Sequence, residues 1–263
     1  MEQRPQASDP AAYAEINSLL NNLLKDAQAI LGDQLIGFYI DGSLAFGGFD
    51  PATSDIDFIM ATAGDLPDEI VGQLAAIHRR ITLSNRAYAD QLEGSYIPLS
   101  ALRRYNPTDA THPNIERGPN EVLRPKYHHS DWVIHRYITR EHGITLHGPS
   151  PKTLIDPVTP DDLRWATIEA LRSWWATPEA AESIRHSHPG YWGYVTQTMC
   201  RALYTLEHGE VIDKATACRW ALDTCDEQWR PLIENSRSRN EAIEVEHLLQ
   251  YISYVHERAG NVL

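Results

Sequence analysis

IDGSLAFGGFDPATSDIDFIM, from Ile40 to Met60, concentrates more chemistry than any other stretch of the chain. It follows an apolar run, Leu35, Ile36, Phe38 and Ile40, that predicts a buried strand over 35–40. Gly42 and Ser43 then open a turn, and Gly47, Gly48, Asp50 and Pro51 make a short connection. Asp55 and Asp57 lead into a second apolar run, which predicts a strand over 55–61. A strand sends residues i and i+2 to the same face, so the two aspartates should aim their carboxylates at one place. Paired hard oxygens suit Mg²⁺, which is commonly held by one or two carboxylates with substrate phosphates completing its shell. A Gly-Ser turn beside them can offer N–H groups and a hydroxyl to those phosphates. Asp-x-Asp or Gly-Ser alone is an ordinary surface feature. The ordered combination of strand, Gly-Ser, short loop and Ser-Asp-x-Asp strand is what points to phosphate chemistry.

Periodicity extends the pattern outward. Ile16, Leu19, Leu20, Leu23, Leu24 and Ala27 form one apolar stripe and predict a helix over 12–31. Ile70, Leu74, Ile77 and Ile81 predict another from Pro67 to Thr82, and 91–98 reads as a third strand with Glu93, Ser95 and Ile97 on one face. This order suits an α+β fold, a small mixed sheet with helices on one side. Residues 105–127, with Pro107, Pro113, Pro119 and Pro125, read as a long loop. Helical spacing returns at 130–141, and 144–147 fits a short strand. Gly148 to Pro160 carries Pro149, Pro151, Pro157 and Pro160 and reads as a linker. Beyond it the apolar segments 161–175, 191–208, 214–224 and 240–258 are all helical. The expected organisation is an N-terminal domain over 1–157 and a C-terminal helical bundle over 158–263.

Composition sets limits. The chain has 263 residues, 42% hydrophobic and 22% charged, enough for packed cores. A net charge of −13 argues against an open nucleic-acid surface. It leaves room for a nucleotide met by Mg²⁺ and a few basic side chains, and it favours encounter with a cationic small molecule. No apolar run reaches the length of a membrane span. The polar start, MEQRPQASDP, lacks the apolar stretch of a secretory signal. Cys200, Cys218 and Cys225 are odd in number and fit reduced core thiols of a cytoplasmic protein; a monomer is expected.

The Gly-Ser and Ser-Asp-x-Asp pattern resembles the nucleotidyltransferase superfamily with the polymerase-beta-like fold. Within it, the chain is similar to the aminoglycoside nucleotidyltransferases that adenylylate streptomycin and spectinomycin. Glu93, in QLEGSYIPL, stands where that family carries its third carboxylate, and Thr139 to Pro157 matches its stretch between domains. Arg201 and Lys214 match the basic residues with which its helical domain reaches the nucleotide. The resemblance implies transfer of AMP from ATP to a hydroxyl of an aminocyclitol, with release of pyrophosphate. Asp55 and Asp57 would hold Mg²⁺, and Gly42, Ser43 and Ser54 would grip phosphates. Glu93 would serve as general base, as metal ligand, or as both. Pro113 and Tyr191 stand where streptomycin-modifying members carry a tryptophan and an acid, which favours spectinomycin. The other function class is a nucleotidyltransferase-fold protein acting on a metabolite or a protein target. On spacing alone, Arg201 is a helix-surface charge.

The remaining candidates read as structural. His128, His129 and His135 lie close together, as do His186 and His188, but none falls in a zinc-ligand spacing. They read as loop and helix-surface residues. Trp174-Trp175 and Tyr191-Trp192 read as core or packing aromatics, the second pair starting a helix.

Overall fold

The computed structural model describes residues 10–84, 86–236 and 243–260. The polar N-terminal nonapeptide and the start of the helix expected from 240 lie outside that set. The backbone divides into two compact units, Met1–Pro157 and Val158–Leu263.

In the first unit the elements run α1 (Pro10–Leu31), β1 (Leu35–Ile40), α2 (Gly42–Phe46), β2 (Ile56–Thr62), α3 (Asp68–Thr82) and β3 (Leu92–Pro98). They continue with α4 (Leu99–Arg103), β4 (Thr111–Ile115), β5 (Arg124–Tyr127), α5 (Trp132–His142) and β6 (Ile144–His147). The strands form one mixed sheet ordered β5-β4-β3-β2-β1-β6. Among the described strand pairs only the central β2–β3 pair is parallel, with Asp57 beside Glu93 and Ile59 beside Ser95.

The alternation of the central strands sorts their side chains onto two faces. Phe38, Ile40, Ile56, Phe58, Met60, Leu92 and Tyr96 pack with the apolar stripes of α1 and α3. The fully buried Leu23 and Leu74 anchor those helices; each such side chain contributes about 1.5–3 kcal/mol. Tyr39, Ile59, Ala61 and Ile97 face the other way, against Ala101 and Leu102 of α4, Trp132 of α5, and Ile155. Helices therefore cover both faces, not one. The second layer was obscured because α4 is one turn long and α5 presents a buried arginine, Arg136, where an apolar residue is expected.

The proline-rich stretch is not a plain loop. Strands β4 and β5 pair antiparallel with Pro113 opposite Pro125. Two prolines have no N–H to exchange, so this pair occupies a position where the ladder needs none. Thr139 to Pro157 lies wholly in the first unit. It supplies the end of α5, strand β6, a turn at Pro151–Thr153 and the buried Ile155.

The second unit holds α6 (Pro160–Ala170), α7 (Pro178–Arg185), α8 (Pro189–His208), α9 (Lys214–Thr224), α10 (Arg230–Asn235) and α11 (Val245–Gly260). Thr159 and Asp162 close a capping box at the start of α6. Gly209, at φ +68°, ends α8. Met199, Cys200, Cys218, Ile233, Leu248 and Tyr251 lie in its core. The helix expected over 161–175 changes at Leu171 to a π turn through Trp175, where Ala176 N–H donates to Leu171 O. The wider turn rotates Trp174 outward, so it is 60% exposed and not a packing residue, whereas Trp175 packs on the core. None of the described helices is long and apolar enough to cross a membrane.

Candidate active site

The site forms on the sheet face beneath α5, where β2 and β3 present Asp57 and Glu93 in register. β1 ends at Ile40, and Asp41 N–H donates to Asp57 O at 2.9 Å, tying the Gly-Ser turn to β2. Gly42 has φ +59°, and a Cβ built on it would lie 1.8 Å from Asp57 Oδ2. Any side chain at position 42 would thus displace the Asp57 carboxylate; only glycine fits both the conformation and the space. After Gly42 the chain makes the single turn of α2, in which Ser43 Oγ is buried and has no hydrogen-bond partner. Ser54 N–H donates to Asp50 O at 2.9 Å and Ser54 Oγ accepts from Asp50 N–H at 3.0 Å, so this serine closes the loop leading to the aspartates. Asp55 lies one residue before β2, not in it, with Arg117 Nη1 at 3.8 Å.

Electrostatics couple the members of the group. Burial, then the neighbouring charges of Asp55 and Asp41, push the Asp57 carboxyl well above its ordinary pKa; Glu93 adds to this and His135 opposes it. Burial and Asp55 also raise Glu93, against the counteracting charges of His135 and Lys126. Burial and like charge together outweigh the nearby His135 and Lys126 at these clustered carboxylates. Among the described residues no three His, Cys, Asp or Glu side chains form a ready-made metal cage. Mg²⁺ does not require one, since two carboxylates and substrate phosphates suffice. The unbalanced charge around Asp57 and the unpartnered Ser43 hydroxyl both fit a site that takes a cation with an anionic substrate.

Asp41, Asp57, Glu93, Asn114, Lys126, Asp131, Trp132 and His135 line the open cleft above this face. His135 and His128 correct the reading of these histidines as surface residues. His135 donates from Nδ1 to Asp41 Oδ2 at 2.7 Å. His128 is fully buried, bonded to Ser95 Oγ at 3.0 Å and stacked on Trp132 at 3.5 Å. Sequence spacing missed both because their partners, on the β1–α2 junction and β3, are distant in the chain. Asp41 adjoins the Gly-Ser motif, and that adjacency was the one available signal. Tyr191 lies near the start of α8, stacked on Tyr194 at 5.7 Å. Arg201 lies on α8 of the second unit. Lys214 opens α9, its Nζ 3.7 Å above the Tyr194 ring.

Known proteins resemble this chain in sequence and in fold. Residues 153–263 match the family model of the aminoglycoside adenylyltransferase C-terminal domain. An aminoglycoside (3'')(9) adenylyltransferase of Escherichia coli is 26% identical, with 92% of this chain and 95% of that protein aligned. A spectinomycin 9-adenylyltransferase of Staphylococcus aureus is 24% identical over 81% of each chain. The fold is that of a spectinomycin adenyltransferase from Enterococcus faecialis, solved with ATP and spectinomycin. The TM-score is 0.70 at 21% identity, covering 93% of this chain and 99% of that one. Over nearly its whole length the chain is similar to aminoglycoside and spectinomycin adenylyltransferases, and residues 153–263 match the family model of the aminoglycoside adenylyltransferase C-terminal domain.

Proposed function

We propose that this protein transfers AMP from Mg²⁺-bound ATP to a hydroxyl of an aminocyclitol, with spectinomycin preferred over streptomycin, and releases pyrophosphate. The observation that carries the reading is the Asp57 carboxylate lying against Gly42 with Glu93 beside it on β3. The names of the relatives, two of which act on spectinomycin, supply the acceptor class.

In this reading Asp55 and Asp57 hold the cation, and Gly42 and Ser43 grip the distal phosphates. Ser54 keeps the intervening loop closed through Asp50. A bound Mg²⁺ supplies Lewis-acid charge to the phosphates. Glu93, with its pKa raised by burial and by Asp55, is suited to take the proton from the acceptor hydroxyl. Arg201 and Lys214 are assigned to the triphosphate on the family resemblance.

The test is pyrophosphate release by the purified protein with Mg²⁺ and ATP, adding spectinomycin or streptomycin separately. Release with spectinomycin that is lost in Asp57→Asn supports the reading. ATP binding without release on any aminocyclitol refutes the antibiotic acceptor and moves the acceptor to a metabolite or a protein.

A further inference from the structure

Asp41 and His135 have no part in the steps above, yet both line the cleft. Asp41 is 1% exposed. Its Oδ2 accepts from His135, and its Oδ1 is buried without a hydrogen-bond partner. A buried carboxylate costs several kcal/mol unless a charge or hydrogen bonds offset it, roughly in line with transfer data. His135 is the partner that meets this requirement. Its ring is held at Nδ1 by Asp41 and lies against Trp132, 4.8 Å away and tilted by 32°. With Nδ1 committed, Nε2 is the polar atom left for a ligand, and the side chain is 33% exposed to the cleft.

The groups facing this ring are acidic on most sides. Burial opposes a charge on His135, but the Asp41 hydrogen bond and the charges of Asp41, Asp131 and Asp57 outweigh it and raise its pKa to about 9. His135 in turn lowers the carboxyls of Asp57 and Glu93, which line the same cleft. Lys126, the other basic group lining the cleft, is engaged by Glu116. His128, beyond Trp132, is driven to the neutral form by burial and by its cationic neighbours. A protonated imidazole cannot act as the base. It can place a fixed donor where negative charge builds up.

Resting on the adenylyl-transfer reading, we propose that His135 is a further catalytic residue, donating a hydrogen bond from Nε2 to a non-bridging α-phosphoryl oxygen of the bound nucleotide, with Asp41 as its positioning residue. In the step, the acceptor oxygen forms its bond to Pα while the bond from Pα to the pyrophosphate oxygen breaks. The hydroxyl proton goes to Glu93, the electron pair leaves with pyrophosphate, and His135 keeps its proton.

Kinetics of His135→Gln and Asp41→Asn, using ATP and the two α-thio diastereomers of ATP, test this contact. The expected result for His135→Gln is a fall in kcat of about 10²-fold with the KM for ATP changed by less than about threefold, the pattern for a lost oxyanion donor. Asp41→Asn should lose about tenfold. Wild-type discrimination between the diastereomers should collapse in His135→Gln. Undiminished kcat, or reduced kcat with unchanged discrimination, overturns the proposal. Independently of turnover, ¹⁵N-histidine spectra of the wild-type protein should show the His135 Nε2 resonance shift on addition of Mg²⁺ and α,β-methylene-ATP. No shift refutes the contact. A shift in a protein that releases no pyrophosphate keeps the contact and rejects the transfer reading.

Discussion

A single methyl at position 42 is enough to separate the Gly-Ser turn from the carboxylate beside it. Gly42→Ala would force a left-handed residue, at a cost of about 1–2 kcal/mol, and push Asp57 out of place. We expect a folded protein whose rate of pyrophosphate release falls by at least about 10²-fold. A thermal melt beside the rate would separate the two effects. His78 makes a different prediction. It is 2% exposed, 3.0 Å from the Tyr96 hydroxyl and stacked on Phe58, and burial pushes its pKa down to about 4. The unfolded chain therefore takes a proton below about pH 6.5 that the folded state refuses until about pH 4. Stability is full above that window and declines on acidification through it, with His78 contributing a loss of about 2 kcal/mol between pH 7 and pH 5. Urea denaturation at both pH values should show a smaller decline for His78→Gln than for the wild type. An identical decline would show that His78 is not the group responsible.

At the scale of elements, α5 decides how the cleft is built, and Arg136 holds it. Arg136 is 2% exposed and donates to Ala101 O at 2.7 Å, Leu102 O at 3.2 Å and Trp132 O at 2.9 Å. It thereby satisfies carbonyls of α4, which is too short to bond them itself. Arg136→Met keeps the volume but orphans those carbonyls. The expected loss is about 3 kcal/mol by denaturant titration, with reduced activity because α5 also carries Trp132 and His135. The same element shows what the sequence could reveal. The apolar stripes of α1, α3, α8 and α11 were legible because burial on one face imposes a period, and the strand at 35–40 because burial on both faces leaves a continuous apolar run. Strands β4 and β5 were not, because opposed prolines satisfy a ladder without looking like one. Asp55, Asp57 and Glu93 could be found from a local motif and a family pattern. The Asp41–His135 pair could not, since its partners are 94 residues apart.

At the scale of the whole chain, the net charge of −13 bears on the acceptor and not on the fold. For a cationic aminocyclitol, kcat/KM should fall about three- to tenfold as salt rises from about 20 to about 200 mM. A salt-independent value would remove the surface charge from the account. The two units have separate cores, and the N-terminal one contains the carboxylates, the Gly-Ser turn and the cleft. The central claim is that this cleft moves AMP onto spectinomycin. The most direct measurement is the mass of spectinomycin after incubation with the protein, Mg²⁺ and ATP. The account predicts an increase by one adenylyl group for the wild type and none for Asp57→Asn. Unmodified spectinomycin in the presence of bound ATP would contradict it.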